Sequence, residues 1–323
     1  MSMITNQRIR GLGLSVAFVL FASLAPVSAA PLTAEQSFPI WPNTVENNNP
    51  SPKETVIERS KVAAIRDRAW INITQSELLT FPTNKPSNCS IVLAPGGGYQ
   101  RVVFDKEGLD IVPALNEHGL NVFILKYRLP NAQASDREWQ PLEDAQRAVR
   151  FIRAHAKEWQ INNQCVGILG FSAGGQLASS LASQFDRSVY TPIDSADTLS
   201  ARPDFVGLMY PVITMEKKYT HNGTRKVLLG ESPSKQQIQQ HSAEKWVTEN
   251  TPPAFIGLAN DDKSVNQMNS IRFYEALHEN NVPVEMHIFQ KSGHGFGIRN
   301  AKGTAKEWLP LFTQWLEQNQ FAG

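Results

Sequence analysis

Six short apolar runs punctuate the chain: Ile91-Val92-Leu93-Ala94, Val122-Phe123-Ile124-Leu125, Val166-Gly167-Ile168-Leu169, Phe205-Val206-Gly207-Leu208, Phe255-Ile256-Gly257-Leu258 and Met286-His287-Ile288-Phe289. Runs of this kind suit strands buried on both faces, as in a parallel sheet covered by helices. Between them the period turns helical. Residues 142–158 follow Pro141, which fits a first helical position, and place Ala145, Val149, Ile152 and Ala156 on one face. Residues 176–185, 267–280 and 304–318 read as further helices, whereas Pro113 kinks or delays one over 107–118. This alternation predicts an α/β class with a doubly wound, mostly parallel sheet.

Upstream of the first run the pattern differs. Ala69-Trp70-Ile71-Asn72-Ile73 and Glu77-Leu78-Leu79-Thr80-Phe81 approach alternation, which predicts antiparallel strands at an N-terminal sheet edge. Residues 30–53, rich in Pro and Asn, read as an irregular arm. A long polar segment, 214–251, interrupts the alternation and reads as a small lid-like insertion or the rim of a site. Residues 1–29 combine Arg8 and Arg10, an apolar stretch over 11–24 and the small-residue end Val27-Ser28-Ala29. That is the pattern of a cleavable signal peptide, cut after Ala29, and it implies a periplasmic or extracellular address. The apolar stretch is too short for the ~20 residues of a membrane span. One α/β domain over 54–323 remains.

Charge narrows the field of partners. Without residues 1–29 the chain keeps 29 basic against 30 acidic residues, so it offers no electrostatic footprint for nucleic acid or an anionic membrane. The two cysteines, Cys89 and Cys165, are too few for a disulfide-dense scaffold or a cysteine-based zinc site. Each lies seven residues before a candidate site element, Gly96 and Ser172 respectively. If their strands are parallel neighbours, the two fall within disulfide reach, and an exported protein permits the bond.

Gly170-Phe171-Ser172-Ala173-Gly174 lies between an apolar run and a helix, and has the G-x-S-x-G form of a nucleophile elbow. Such a motif also arises by chance, so its partners decide. In hydrolases with this elbow the acid and then the base follow the serine, each after a strand. Asp261 and Asp262 follow the run 255–258, and Gly293-His294-Gly295 follows the run 286–289. His118, His155 and His278 fall in or at the end of helices, and His287 falls in a strand. His221 and His241 precede the acid. His294 is therefore the expected base. Asp262 stands three residues before Val265 and is the expected acid, with Asp261 turned outward or in an Asx turn. Pro95-Gly96-Gly97-Gly98-Tyr99 follows the first run, where Gly97 and Gly98, together with the N–H of Ala173, are placed to form an oxyanion hole. A phosphate-binding reading of that loop fails, because it has neither a P-loop lysine nor G-x-G-x-x-G spacing.

With these features the stretch from about 90 to 298 resembles bacterial α/β-hydrolase esterases of the acetyl xylan esterase and bifunctional acetylxylan/feruloyl esterase type, related to acetyl esterase/lipase proteins. The matching motifs are Pro95-Gly96-Gly97-Gly98-Tyr99, Leu125-Lys126-Tyr127-Arg128, Gly170-Phe171-Ser172-Ala173-Gly174-Gly175, Arg202-Pro203-Asp204, Tyr210-Pro211-Val212, Thr251-Pro252-Pro253 and Gly293-His294-Gly295-Phe296-Gly297. The resemblance implies an α/β-hydrolase fold, a Ser172-His294-Asp262 triad, no cofactor and no metal. It also implies a small-molecule or oligosaccharide ester as substrate, above all a short acyl ester of a plant polysaccharide. Gln176 departs from the histidine expected after the double glycine, and bears on acyl or alcohol preference. Rival readings are a general small-ester carboxylesterase, a serine peptidase of the prolyl-oligopeptidase type, and a catalytically silent binding protein on the same fold. The peptidase reading lacks an N-terminal propeller-sized domain.

Overall fold

In chain order the strands are β1 (Ser37–Pro39), β2 (Thr55–Glu58), β3 (Arg68–Ile71), β4 (Glu77–Phe81), β5 (Cys89–Ala94), β6 (Val102–Val103), β7 (Leu120–Lys126), β8 (Val166–Phe171), β9 (Val206–Met209), β10 (Ala254–Ala259) and β11 (Val284–Phe289). The longer helices are α1 (Val112–Glu117), α2 (Gln140–Trp159), α3 (Ala173–Gln184), α4 (Asn222–Leu229), α5 (Lys235–Gln240), α6 (Met268–Glu279) and α7 (Trp308–Gln318). The computed structural model describes residues 33, 36–42, 52–87, 89–130, 134 and 136–322. The expected signal peptide over 1–29 lies outside them. Among the described residues no helix is long and apolar enough to cross a membrane.

All six apolar runs become neighbours in one sheet of order β1-β4-β7-β5-β8-β9-β10-β11. β4 pairs antiparallel with both β1 and β7, and every other pairing is parallel. Side chains alternate across the strand. Ile91 and Leu93 therefore join the core beneath α1 and α7, and Val92 and Ala94 join the core beneath α2, α3 and α6. This is the mostly parallel doubly wound sheet with an antiparallel N-terminal edge that an α/β-hydrolase fold requires. Because the strands after β4 run one way, the loops following β5, β8, β10 and β11 open on the same edge.

The structure departs from the sequence reading in several places. Strand β3 does not join the main sheet; it pairs with β2 and β6 in a separate three-stranded sheet, where Trp70 packs on Phe104 at 4.1 Å. The main-sheet place beside β4 is already taken by β1, so residues 37–39 of the supposed irregular arm are ordered by strand pairing. The run 286–289 predicts a buried strand, yet β11 is mostly half-buried and Ile288 is 45% exposed, because β11 lies at the sheet edge with a partner on one side only. The segment 107–118 splits into a π-helical turn, Asp105–Leu109, and α1, whose first turn accommodates Pro113. The insertion 214–251 is built from α4, α5 and a 3-10 turn, Ala243–Lys245, which packs on α3 and α6.

Cys89 and Cys165 are bonded, with 4.7 Å between their α-carbons. The parallel register of β5 and β8, which sets Ser90 beside Val166, brings them together at the end of the sheet remote from the glycine loops. Closing a chain separation of 76 residues removes entropy from the unfolded state. Replacing both cysteines by serine is expected to lower unfolding free energy by about 2–4 kcal/mol in a denaturant titration. An unchanged midpoint and slope would show that the bond contributes nothing.

Candidate active site

Strand β8 ends at Phe171, and the chain turns at Ser172 straight into α3. Ser172 adopts φ 51° and ψ −114°, a conformation that costs a non-glycine residue energy and persists only where its surroundings hold it. They do so through the main chain. The Ser172 N–H donates to Met209 O at 3.0 Å, and its carbonyl accepts from Gly175 N–H at 3.0 Å and Val212 N–H at 2.9 Å. The tight turn presses α3 onto β5. A Cβ on Gly174 would lie 2.0 Å from Ala94 O, so glycine is obligatory there.

Ser172 Oγ meets His294 Nε2 at 2.8 Å, and His294 Nδ1 meets Asp262 Oδ2 at 2.6 Å. Asp262 is nearly buried, and its Oδ1 accepts from the N–H groups of Ser264 and Val265 at 2.8 and 3.0 Å, which fixes the carboxylate. A carboxylate at Nδ1 favours the tautomer protonated there, leaving the Nε2 lone pair to accept from the serine hydroxyl. Asp261 is exposed, as expected, yet its carboxylate is engaged. Its Oδ1 accepts from Ser292 and Gly293 N–H, both at 2.8 Å, and so shapes the loop that carries His294. Those two N–H groups hold its carboxyl below the ordinary range. The other histidines are engaged elsewhere: His118 with Glu317, His287 with Glu285, His155 stacked near Trp159, His278 near Tyr274 and His241 near Trp139.

The glycine loop follows β5 beside the serine. Tyr127 Oη donates to Pro95 O at 2.7 Å, and Gly96 N–H donates to Glu107 Oε2 at 2.8 Å. Gly97 and Gly98 then take φ of 136° and 65°, which turns the chain away from strand geometry. The main chain of Ala173 follows the serine directly, and the glycine loop reaches the serine at Gly96, where a Cβ would lie 2.8 Å from Ser172 Cβ.

Sequence reasoning missed several groups around this arrangement. Glu107 lay in a segment whose structure Pro113 obscured. Tyr210 Oη donates to Glu107 Oε1 at 3.0 Å and accepts from Gly297 N–H at 3.1 Å. Burial, with Glu107 adding to it, pushes the Tyr210 phenol well above its ordinary pKa, so it stays a donor. His221 caps α4 by accepting from Thr224 N–H at 3.2 Å. Thr224 Oγ1 stands 3.9 Å from where a Cβ on Gly98 would be, which brings the start of α4 beside the glycine loop. Burial first, then His294, lowers the His221 pKa. Gln176 is engaged within the protein. It is 3% exposed, accepts from Tyr99 Oη at 2.5 Å, and donates to Ser180 Oγ at 2.8 Å and His241 O at 3.2 Å. It thereby ties the glycine loop, α3 and the insertion together. Among the described residues no cluster of three or more His, Cys, Asp or Glu side chains is placed to hold a metal ion.

Comparison with known proteins gives a consistent result. The BD-FAE family model matches residues 79–277. The endo-1,4-beta-xylanase B of Butyrivibrio fibrisolvens is 38% identical over 213 residues, 66% of this chain and 33% of its own length. The acetylxylan esterase of Xylanibacter ruminicola is 34% identical over 228 residues, 69% of this chain and 44% of its own. The chain thus spans less than half the length of either. Among solved structures, an acetyl ester-xyloside bifunctional hydrolase from Caldicellulosiruptor lactoaceticus superposes with a TM-score of 0.75 at 32% identity, covering 90% of this chain and 98% of that one. A carboxylesterase from Lactobacillus plantarum, 19% identical with a TM-score of 0.65 over 84% of this chain and 98% of its own, shares the fold.

Proposed function

The chain belongs to the BD-FAE family, and from that premise we propose that it is an exported serine carboxylesterase that removes short acyl groups, above all acetyl, from xylan or xylo-oligosaccharides. The observation that carries this reading is the chain of contacts from Asp262 through His294 to Ser172 Oγ, set on a strained elbow beside a glycine loop. The acetyl and xylan elements draw support from the names of the relatives, an acetylxylan esterase and an acetyl ester-xyloside hydrolase.

In this reading Ser172 Oγ attacks the ester carbonyl as its proton passes to His294 Nε2. The carbonyl electron pair moves onto oxygen, where Gly97, Gly98 and Ala173 N–H groups receive it. Asp262 stabilises the imidazolium without taking its proton. The tetrahedral species collapses, the C–O bond to the sugar breaks, and the imidazolium protonates the departing alkoxide. Water then repeats the sequence on the acyl-enzyme, giving its proton to His294 and releasing acetic acid and free Ser172. The catalytic domain is 54–323, with 214–251 as its rim. The leader 1–29 is removed on export, and the near-neutral surface leaves nucleic acid and membrane without a binding role.

The test is a substrate panel of aryl acetate, butyrate and ferulate, with acetylated xylan alongside. Acetate should lead the series, and xylan should release free acetate. Turnover of aryl acetate without release from xylan or acetylated xylo-oligosaccharides would make the protein a general small-ester carboxylesterase.

A further inference from the structure

Behind the glycine loop and the histidine loop lies a carboxylate that the acyl-transfer scheme does not use. Glu107 is 3% exposed on the π-helical turn Asp105–Leu109. Such turns are unusual and recur at functional sites. Its two oxygens point to different loops. Oε2 accepts from Gly96 N–H at 2.8 Å, at the start of the glycine loop. Oε1 accepts from Tyr210 Oη at 3.0 Å, and Tyr210 Oη accepts in turn from Gly297 N–H at 3.1 Å, three residues past His294. The Gly297 carbonyl takes Trp308 Nε1–H at 2.8 Å, which fixes that end of the path. The Tyr210 ring stands edge-on to the His294 ring at 5.2 Å and to Phe296 at 4.7 Å. A Cβ on Gly96 would lie 2.8 Å from Ser172 Cβ and 2.9 Å from Glu107 Oε2, so there is no room for a side chain between the carboxylate and the nucleophile.

A carboxylate withdrawn from water is unfavourable unless its oxygens are well used, and packing alone would place an apolar side chain here. We infer that Glu107 is a positioning residue for acyl transfer: one buried carboxylate sets the glycine loop and the histidine loop in fixed mutual register. The N–H groups of Gly97 and Gly98 then serve the oxyanion, and the Nε2 of His294 serves Ser172 Oγ, of one and the same tetrahedral intermediate. The path Gly96–Glu107–Tyr210–Gly297 is a polar connection between the two loops. The inference rests on the acyl-transfer reading above.

The test is a graded series on full-length protein with aryl acetate. Glu107→Ala releases both loops, and kcat should fall about 10²-fold while KM stays within about twofold, since the misplacement is felt in the transition state more than in substrate binding. Glu107→Gln keeps the shape and an acceptor for Gly96 N–H, and should recover about tenfold of that loss. Tyr210→Phe should lower kcat in the wild-type background and add nothing to Glu107→Ala, because both cut the same path. A folded Glu107→Ala protein with wild-type kcat overturns the inference. So does a loss confined to KM or to thermal stability. If Glu107→Ala does not fold, the Glu107→Gln and Tyr210→Phe proteins decide: lowered kcat at unchanged KM supports the inference, and wild-type kcat in both overturns it. A wild type inert toward aryl acetates overturns the acyl-transfer reading and this inference with it. An active wild type matched by Glu107→Ala overturns the inference alone.

Discussion

Ser172→Ala is expected to lower kcat for an aryl acetate by about 10⁴- to 10⁶-fold, with KM little changed. The Oγ is the atom in contact with His294 Nε2, and its removal leaves the base facing a methyl group. The N–H groups of Gly97, Gly98 and Ala173 remain, so a residual rate above that of water is expected from the oxyanion site alone. Alanine loses nothing that holds the elbow. The bonds that fix Ser172, to Met209 O and from Gly175 and Val212 N–H, are all main-chain. Steady-state kinetics checks the rate, and a serine-directed fluorophosphonate checks the site, labelling the wild type and not the variant. A variant that keeps its rate would remove Ser172 from the mechanism.

Asp262→Asn should cost about 10⁴-fold in kcat. A carboxamide that turns its NH₂ toward Nδ1 favours the imidazole tautomer with its proton on Nε2, and that nitrogen then cannot accept from Ser172. The neighbouring Asp261→Asn is the internal control. Asp261 touches the main chain of Ser292 and Gly293 rather than the imidazole, and asparagine retains an oxygen for those N–H groups. Its kcat should stay within about tenfold of wild type. Measured side by side, the two variants separate the residue that sets the tautomer from the one that shapes the loop. Equal losses would refute that division.

The six runs announced the sheet because strands flanked by helices on both faces can carry no polar alternation, and no other common element needs four apolar residues in a row at that spacing. Placement in expected helices and strands sets aside four of the seven histidines and chain order two more, which leaves His294. What stayed hidden depended on tertiary placement. The run 286–289 reads like the other five despite His287, and its place at the sheet edge, with Ile288 half exposed, follows from the strand order. Glu107 reads in sequence like any surface acid, since its burial comes from Gly96 and Tyr210, 11 and 103 residues away. Gln176 sat where substrate selection seemed natural, yet the Tyr99 hydroxyl and His241 carbonyl that claim it come from segments with no local signal. One omission was legible. Ser234 and Gln237 form a capping box, a helix start that the polar composition of 214–251 masked.

Both ends of that insertion are fastened by side-chain acceptors. Asn269 Oδ1, from α6, accepts from both Ile213 and Thr214 N–H, at 2.8 and 3.1 Å, and Thr251 Oγ1 accepts from Thr248 N–H at 3.0 Å near the far end. The segment therefore leaves β9 and re-enters β10 through anchored doorways, while the reacting groups stand on other loops. Loop-closure entropy grows only with the logarithm of length, about 0.6 kcal/mol per doubling. Between those doorways the chain can change length at little entropic cost, provided the His241 carbonyl keeps its hold on Gln176, because through that contact the segment reaches α3, the helix that the serine opens.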